Sequence, residues 1–375
     1  MNKKALKIST VLLIMFSLFA CGANVPAETN PFTFNAMLVF PEAHKTVWDR
    51  MATTFTLKAN QTNPRVQRFI KQYAREDYYH LIKFSEQARP YLFHIVQMLE
   101  ERGLPAELAL LPIIESEYYP FATSKKGAMG IWQLAYQTGR AYGLRQDKWY
   151  DGRRDIEAAT KAALDHLRDV YLEQKKDWLL TLAAYNAGSG RVAAAIKRNK
   201  SLGKPTDYWS LSLPQETQYF VPKFLALVYL IKNHHELGIN LADVPNKPYF
   251  DKVKLQKQIN LQQAAKLAEI DLKELKHLNP AHNSNLTHPH GPHELVLPIQ
   301  KVAIFNANLD NHNAIKRTTY TQIPTKSKTS KIVHTVNRGD TLHLIAARYS
   351  TTIQQIMHKN NLTSDIIHRG QKLSI

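Results

Sequence analysis

Cysteine is almost absent from this sequence: Cys21 is the single one among 375 residues. A chain with one cysteine cannot form an internal disulfide. Acidic residues are also scarce, with 31 Asp and Glu against 49 Lys and Arg, which gives a formal net charge of +18. Such a charge favours an anionic partner, whether nucleic acid, an anionic membrane surface or a cell-wall polymer, and a role in solubility alone is the alternative.

The first twenty residues have the composition of an export signal. Lys3, Lys4 and Lys7 form a positive start, and the apolar run that follows is too short for a membrane span. Cys21 comes directly after this run, which predicts a bacterial lipoprotein signal over residues 1–20 with Cys21 as the lipid-bearing residue. The alternative is an ordinary cleaved signal peptide with an incidental cysteine, and Phe19 is bulkier than lipoprotein signals usually carry.

Export narrows the choice of partner. Gly22, and not aspartate, follows the cysteine, which under the usual Gram-negative sorting rule implies the outer membrane, facing the periplasm. The lipid on Cys21 would make the bilayer one partner, and an exported location argues against nucleic acid. Residues 21–40 carry Asn, Pro, Thr and Glu and are predicted to be a tether.

Helical periodicity dominates the next two hundred residues. In residues 89–102 apolar side chains recur three to four positions apart, and the same pattern predicts helices over residues 157–173, 178–186 and 215–233, the second of them closed by Gly188. No segment in this part alternates as a half-buried strand does. The prediction is therefore a mainly helical region, with an N-terminal segment over residues 41–102 and a second domain over residues 103–240.

A repeat with a spacing of 81 residues occupies the remainder of the chain. Each copy closes on a short apolar strand, which predicts two small β-α-α-β modules, over residues 246–300 and 332–375. Residues 313–331, rich in Thr, Ser, Lys and Pro, are predicted to be a flexible linker. The repeated positions are Leu261, Ala265, Leu272, Leu275 and Asn279, which return as Leu342, Ala346, Ile353, Ile356 and Asn360.

A carboxylate suited to acid catalysis follows Leu104. Pro105 fits a first helical turn, and the apolar stripe after it predicts a helix that ends near Glu115 to Glu117. Glu115 lies beside that stripe, where lost solvation and the negative helix end both raise a carboxyl pKa, as an acid catalyst near neutral pH requires. Glu117 is two residues away and points elsewhere, so the two cannot form a facing pair.

Two further motifs contain groups that suit a sugar ligand. Gly127 and Gly130 bracket a short turn, and small residues let the backbone approach a ligand closely. Trp132 and Gln133 follow, as an aromatic wall and an amide suited to N-acetyl groups. Residues 184–188, Ala-Tyr-Asn-Ala-Gly, offer a hydroxyl and an amide at a helix end. Each motif alone is weak, because an ordinary turn or helix cap uses the same residues.

Together these residues closely resemble the soluble-lytic-transglycosylase-like and goose-lysozyme-like family. The family carries a Glu-Ser pair, then Gly-x-x-Gly with a nearby Gln, then Ala-Tyr-Asn-Ala-Gly. Here the three motifs stand in that order, within residues 104–233, at Glu115-Ser116, at residues 127–130 with Gln133, and at residues 184–188. The last module resembles a LysM domain, which binds glycans that contain N-acetylglucosamine.

The resemblance implies a mainly α fold, with a lysozyme-like helical catalytic domain followed by small α+β modules of the LysM type. It also implies a peptidoglycan lytic transglycosylase. In the mechanism that the resemblance implies, Glu115 would protonate the glycosidic oxygen between MurNAc and GlcNAc and then take the proton of the MurNAc C6 hydroxyl, which would leave a 1,6-anhydro end; the substrate's N-acetyl group would replace a second carboxylate. The implied substrate-binding residues are Ser124, Met129, Gln133, Tyr185, Asn186 and Glu216, and those of the LysM domain are Gly339, Asp340, Thr341, Asn361 and Leu362.

Two other functions fit the residues. A hydrolytic muramidase would need a second carboxylate, such as Asp151 or Glu216, opposite Glu115. A non-catalytic wall-binding lipoprotein would have no need of Glu115 among its motif neighbours. Asp151 and Asp155 are otherwise interpreted as fold-stabilising ion pairs with the neighbouring arginines, and Glu216 as a buried acid paired with arginine.

The sequence departs from the family pattern at two places. Phe220 stands where the family carries a Tyr, so the hydroxyl is lost or is supplied by Tyr219. The first module has Gln258 and Ile259 where the second has Gly and Asp340, which predicts a degenerate module that packs and does not bind. Asp340 itself is interpreted as a groove residue, a helix cap, or both.

The histidines give no metal-ligand spacing, so no metal or other cofactor is expected. His234 and His235 are adjacent and are predicted to point apart on a helix. His288, His290 and His293 lie in a loop with Pro and Gly, and this group is interpreted as structural or incidental.

Overall fold

The structure is a computed structural model that describes residues 44–321, 333–337, 339–349 and 351–375. The predicted signal, Cys21, the tether and residues 322–331 of the predicted linker lie outside these residues. Within them the fold is mainly helical, which confirms the predicted class. The helices are α1 (Val47–Thr54), α2 (Pro64–Lys71), α3 (Tyr78–Ala88), α4 (Leu92–Glu101), α5 (Leu111–Ser116), α6 (Tyr136–Ala141), α7 (Ile156–Glu173), α8 (Trp178–Ala187), α9 (Ser189–Ser201), α10 (Gln215–Lys232), α11 (Leu261–Ala268), α12 (Leu272–Leu278), α13 (Ile299–Thr321), α14 (Leu342–Arg348) and α15 (Ile353–Lys359).

Two compact units divide the described chain. The first contains residues 44–110 and 212–247, and the second contains residues 111–211 and those from 248 onward. Helix α10, which the sequence analysis assigned to the catalytic domain, therefore belongs with the N-terminal helices. The physical reason is its apolar surface, since α10 buries residues on several sides and contacts α1 and α2.

Helix α2 shows how the first unit is assembled. The Asn63 side chain accepts a hydrogen bond from the backbone N–H of Arg65 at 2.9 Å, and Pro64 at the first helical position needs no such partner. Val66 and Phe69, three residues apart, are the buried residues of this helix, and α2 packs on α10. A short π-helical stretch over residues 72–76 then leads into α3.

Helices α7 and α8 form the scaffold of the second unit. Asp155 caps α7 by accepting from the backbone N–H of Ala158 at 2.7 Å, and Asp177 caps α8 by accepting from Leu180 at 3.0 Å. Helix α8 ends at Gly188, whose φ of +92° favours glycine. Both helices were predicted from the apolar periodicity, and α8 has the predicted terminator.

The first module pairs strand β1 (Phe250–Lys254) with strand β2 (Glu294–Pro298) in antiparallel register around α11 and α12. The second pairs β3 (Val333–Thr335) with β4 (Lys372–Ser374) around α14 and α15. The structure thus has the predicted β-α-α-β order in both copies.

A repeated asparagine explains why the two modules keep the same residue 81 positions apart. Asn279 donates to the carbonyl of Val296 at 2.7 Å and accepts from its N–H at 2.8 Å. Asn360 donates to Ser374 at 2.8 Å and accepts from it at 2.7 Å. Each asparagine therefore extends the strand ladder with its side chain and joins the second helix to the closing strand.

Helix α13 revises the predicted linker. It extends to Thr321, so the first residues of the segment over 313–331 are helical. The helix begins directly after β2 and buries Phe305 in the core of the first module, and Asn308 donates to the Leu267 carbonyl at 2.9 Å. This anchoring starts a helix that residues with adequate helix propensity then continue. Among the described helices, α13 included, none has the length and apolarity needed to span a bilayer.

The first module is joined to the segment that precedes α7 by backbone hydrogen bonds. The N–H of Asp151 donates to Ala281 at 2.8 Å, and the N–H of Asn283 donates to Trp149 at 2.8 Å. Arg145 donates to the Gly291 carbonyl at 2.6 Å. A cavity of about 190 Å³ lies along this junction, lined by residues of both sides that include Tyr150, Glu157, Lys252 and His282. The first module is thus part of the second unit's framework.

Candidate active site

Glu115 is the penultimate residue of α5 and is half-buried. The helix ends there because Glu117 and Tyr118 adopt φ values of +55° and +59°, which the helix cannot continue. The hydroxyl of Ser116 donates to the carbonyl of Ile131 at 2.9 Å and so fastens the helix end to the following loop. The predicted helix end and the position of Glu115 in its last turn are confirmed, but residues 106–110 form a 3-10 helix, so the α-helix begins only at Leu111 and not at the predicted first turn near Pro105.

Tyr185 lies on α8 within electrostatic reach of Glu115. Its hydroxyl donates to the carbonyl of Trp132 at 2.8 Å. Burial raises the pKa of Tyr185 well above its ordinary value, and the negative charge of Glu115 raises it further. The hydroxyl therefore remains a hydrogen-bond donor at neutral pH. Asn186 is its half-buried neighbour in the last turn of the same helix.

The loop over residues 122–134, called the glycine loop below, is tied together by its own hydrogen bonds. The backbone N–H of Ser124 donates to Ala128 at 2.9 Å, and the Ser124 hydroxyl accepts from the N–H of Ala128 at 3.0 Å. Met129 and Leu134 exchange backbone hydrogen bonds at 3.1 and 3.2 Å. The Gln133 side-chain N–H groups donate to the carbonyls of Gly130 and Ala122 at 2.9 and 3.2 Å. These donors of Gln133 are used inside the protein.

Trp132 corrects one expectation. Its side chain is fully buried, at 0% exposure, and its indole N–H donates to the hydroxyl of Thr160 in α7 at 2.9 Å. It cannot be the aromatic wall of a sugar groove. Burial of this large apolar ring stabilises the core of the second unit. The group of Trp132 that faces Tyr185 is its backbone carbonyl and not its ring.

Arg153 supports the glycine loop through hydrogen bonds, a role that the sequence did not predict. Its guanidinium forms a buried ion pair with Asp151 at 2.7 Å. The same group donates to the Gly127 carbonyl at 2.8 Å and to the Met129 sulfur at 3.2 Å. The interpretation of Asp151 as a structural ion pair is thus supported by the geometry. The available signal was two arginines between two aspartates, but only the tertiary structure reveals which arginine reaches the loop.

Gly130 is where this contact is closest. A Cβ atom at this position would lie 2.1 Å from the Arg153 carbonyl oxygen, and the φ of Gly130 is +77°. Both the close approach and the left-handed backbone require glycine. Gly127 has a similar φ of +78°, but a Cβ atom there would meet nothing within 4 Å.

Asp155 was predicted to form an ion pair with a neighbouring arginine. In the structure its carboxylate instead caps α7 and accepts from the Tyr150 hydroxyl at 2.6 Å.

Glu216 and the rest of α10 belong to the first unit. Glu216 is exposed in the first turn of α10, so its interpretation as a buried acid is wrong. Helix starts favour exposed acids because the helix dipole is positive there. Phe220 is buried in the core, whereas the Tyr219 hydroxyl accepts from Gln215 at 3.0 Å, and Arg68 lies over the Tyr219 ring. These contacts lower the pKa of Tyr219, through the hydrogen bond of Gln215 first.

The predicted glycan residues of the second module lie at its two turns. Asp340 accepts from the backbone N–H of Asn337 at 2.8 Å, which lowers its pKa, and its carboxylate contacts His334 at 2.9 Å. The cap of α14 is Thr341, whose hydroxyl accepts from Leu344 at 3.2 Å, so Asp340 is not the cap. Gly339 has a φ of +91°. At the other turn, Asn361 has a φ of +51° and Leu362 packs against the module core.

The histidines also differ from expectation. His234 and His235 follow α10 and do not point apart: their ring centroids are 3.9 Å from each other. Both face Asp49, whose side chain lies 186 residues from His235 in the chain, so sequence spacing could not reveal the group. His288 is buried and its Nε2 lies 3.3 Å from an Asp147 oxygen.

Three family models match the chain. They are the Transglycosylase SLT domain over residues 94–207, the LysM-like domain of lytic transglycosylase MltD over residues 249–314, and the LysM domain over residues 334–375. The helical fold and the ordered motifs around Glu115 therefore define a peptidoglycan lytic transglycosylase. The chain is 37% identical over 313 residues to membrane-bound lytic murein transglycosylase D of Escherichia coli strain K12, covering 84% of this chain and 69% of that protein. It belongs to that family.

Other similarities cover less of the chain. Membrane-bound lytic murein transglycosylase F of Pseudomonas savastanoi pv. phaseolicola is 34% identical over 105 residues, which is 27% of this chain and 21% of that protein. A solved structure of an inactive mutant of lytic transglycosylase Slt from Pseudomonas aeruginosa has a TM-score of 0.34 and 17% identity, covering 53% of this chain and 33% of that one.

Proposed function

We propose that Glu115 is the single catalytic acid and base of this transglycosylase. The observation that carries the proposal is its position at the end of α5, half-buried and close enough to Tyr185 for its charge to raise the pKa of that hydroxyl. The protonated form of the carboxyl group is the one needed to start cleavage.

The reaction proceeds in two proton transfers. Protonated Glu115 donates to the glycosidic oxygen between MurNAc and GlcNAc, the C1–O bond breaks, and GlcNAc leaves with its new hydroxyl. The N-acetyl carbonyl of the substrate stabilises the positive charge at C1. The Glu115 carboxylate then takes the proton of the C6 hydroxyl, O6 bonds to C1, and a 1,6-anhydroMurNAc end forms without water.

The glycine loop and the end of α8 position the sugar. Tyr185 orients the loop through the Trp132 carbonyl, and Asn186, its neighbour in the last turn of α8, is proposed to contact the sugar. Ser124 and Gln133 act mainly by fixing the loop backbone, because their polar groups bond within it. Met129 is half-buried in the loop, and its sulfur accepts from Arg153 at 3.2 Å. Glu216, exposed on α10, is the least supported of the predicted binding residues.

The test is mass spectrometry of muropeptides released from purified peptidoglycan by residues 22–375, beside the Glu115→Gln variant. We expect 1,6-anhydroMurNAc ends with the wild type and a loss of about 10²–10⁴-fold or more with the variant. Reducing MurNAc ends would identify a hydrolase. Release by Glu115→Gln at the wild-type rate would contradict the assignment of Glu115.

The protein is further proposed to be an outer-membrane lipoprotein that faces the periplasm, anchored through Cys21. The support is the signal-like start of the sequence, Gly22 after the cysteine, and a relative whose name describes it as membrane-bound. Mass spectrometry of the N-terminal peptide should detect a lipid on Cys21. Cys21→Ser should release the protein from membranes, and an unmodified cysteine would contradict the proposal.

The second module is proposed to bind the glycan through Gly339, Asp340, Thr341, Asn361 and Leu362. Its support is the match of residues 334–375 to the LysM family and the arrangement of these residues at two turns. Pull-down with insoluble peptidoglycan should show weaker binding by Thr341→Trp, which fills the turn. The anhydro products formed from short soluble glycan should stay unchanged.

A further inference from the structure

A cluster of two histidines and one carboxylate lies in the first unit, whereas Glu115 belongs to the second. It consists of Asp49 in α1 and of His234 and His235 just after α10. The Asp49 Oδ1 atom lies 2.7 Å from the Nε2 of His235 and 3.4 Å from the Nε2 of His234. One donor atom from each of the three residues lies within 4.8 Å of the others. The three side chains thus converge on one point.

The tautomer of His234 is fixed by its other nitrogen. Its Nδ1 lies 2.8 Å from the carbonyl oxygen of Ile231. A carbonyl can only accept, so Nδ1 carries a proton, and in the neutral ring Nε2 carries a lone pair. That lone pair faces a carboxylate oxygen. The two atoms repel each other unless a cation, either a proton or a metal ion, lies between them.

Asp49 is oriented in the same way. The Thr46 hydroxyl donates to its Oδ2 atom at 2.7 Å, which leaves Oδ1 for the histidines. Metal-binding histidines and carboxylates typically have such a hydrogen bond on the atom that does not bind the metal. The neighbouring Arg50 is directed away and donates to Asn246 at 3.1 Å and to Glu100.

The donor set selects the class of ion. Two imidazole nitrogens and one carboxylate oxygen suit Zn²⁺ and the neighbouring transition metals better than Mg²⁺ or Ca²⁺, which prefer oxygen alone. Ligand atoms about 2.0–2.2 Å from zinc in a tetrahedral site lie roughly 3.3 Å apart. The 3.4 Å separation of His234 and Asp49 fits that value. His235 is 78% exposed, so it can move out from 2.7 Å and leave the fourth position to water.

We propose that Asp49, His234 and His235 form a divalent transition-metal site, best suited to zinc, that joins α1 to the end of α10. These elements already contact each other in the first unit: the Trp48 indole donates to the Ala242 carbonyl at 3.1 Å, and the N–H of Val47 donates to Val244 at 2.8 Å. A bound ion would add a cross-link between two segments that are distant in the sequence, which stabilises the folded state by linkage.

The first experiment is calorimetric titration of the full-length protein, purified in detergent without a histidine tag and stripped with chelator, with Zn²⁺. His235→Ala is the decisive variant because this residue is exposed and its loss leaves the core intact. Asp49→Asn keeps the shape and the Thr46 contact. His80→Ala, an exposed histidine in α3 of the same unit, is the matched control.

We expect one equivalent of Zn²⁺ to bind to the wild type and to His80→Ala, and His235→Ala and Asp49→Asn to bind about 10–100-fold more weakly. Co²⁺ bound to the wild type should give the visible absorption of a four-coordinate ion, and this absorption should be absent from the same two variants. Zn²⁺ should raise the Tm of the wild type and of the His80→Ala control, but not the Tm of the two variants. Absence of saturable binding, or binding that both variants retain, would overturn the proposal; the second result would direct attention to the loop that holds His288, His290 and His293.

Discussion

Arg153 and Asp151 form a buried ion pair at 2.7 Å, and the same arginine supports the glycine loop through the Gly127 carbonyl at 2.8 Å. The backbone N–H of Asp151 donates to Ala281 of the first module at 2.8 Å. A chain of contacts therefore runs from the first module, through the ion pair, to the loop that follows α5. This relationship connects a module outside the SLT match with the geometry around Glu115.

Replacing Arg153 with Met should impair both stability and catalysis. It leaves Asp151 buried without its cation, and breaking a buried pair typically costs about 3–5 kcal/mol. The loop also loses a donor, and misplacement of a substrate-positioning element can reduce the rate by about 100-fold. Thermal unfolding and the rate of anhydro-product formation measure the two effects. Arg154→Met is the control, since Arg154 contacts Asn283 and not the loop; an equal loss of kcat in both variants would argue against loop support.

Gly130→Ala should be more damaging than Gly127→Ala. Both replacements carry the cost of a positive φ, about 1 kcal/mol or more, but only the first drives a Cβ atom to 2.1 Å from the Arg153 carbonyl. We expect Gly130→Ala to lower the free energy of unfolding by roughly 2 kcal/mol beyond the Gly127 variant. Chemical denaturation of both proteins makes the comparison. Equal stabilities would mean that the loop moves away from Arg153 without cost.

Tyr185→Phe should reduce the rate by roughly tenfold, because the Trp132 carbonyl loses its donor at 2.8 Å and the loop loses one restraint. The pKa of Tyr185 is raised by burial and by Glu115, so the hydroxyl stays protonated from acidic to mildly alkaline pH. The pH–rate profiles of the wild type and of this variant should therefore share the same limbs. An alkaline limb that vanishes in Tyr185→Phe would contradict a purely positioning role.

Glu107→Gln should make the protein more stable at pH 7 but not at pH 4. Glu107 is fully buried, accepts from the backbone N–H of Leu57 at 2.6 Å, and has a pKa that burial raises above its ordinary value of 4.5. When folding raises the pKa of a carboxyl group, the group contributes to stability at pH values below its pKa in the unfolded chain. That contribution is lost as the pH rises through its pKa in the folded protein. Gln keeps the acceptor without the charge, so we expect a higher free energy of unfolding for the variant than for the wild type at neutral pH. Unfolding curves at both pH values provide the check, and a variant less stable at pH 7 would refute it.

The paired asparagines allow the two modules to be distinguished. Asn279→Ala and Asn360→Ala remove the same clamp, and each should destabilise its own module by about 1–3 kcal/mol because strand groups lose their partners. The first module is joined to the Asp151 segment, so Asn279→Ala should also lower the rate on soluble glycan. Asn360→Ala should weaken binding to insoluble peptidoglycan only. A loss of rate on soluble glycan in Asn360→Ala, without such a loss in Asn279→Ala, would mean that the second module and not the first supports the active site.

Much of the fold was predictable because it depends on local patterns. Helix α8 was evident from its apolar periodicity and Gly188, and the two modules from positions such as Asn279 and Asn360 that recur at one spacing. The prediction for Trp132 was wrong because the residues next to an aromatic residue in the sequence can be the same whether its ring lines a groove or is buried in the core. Residues 313–321 were misjudged because a helix that starts on an anchored segment extends through residues of ordinary propensity.

The sequence by itself determined the family, the helical class and the identity of Glu115 as the candidate acid, since these follow from ordered motifs and from periodicity. The tertiary structure decided which groups meet. It joined Arg153 to the glycine loop, placed the first module in the same unit as Glu115, and brought Asp49 next to His234 and His235, which are far from it in the sequence. Contacts between residues far apart in the chain depend on packing and backbone geometry, and local sequence patterns do not specify them.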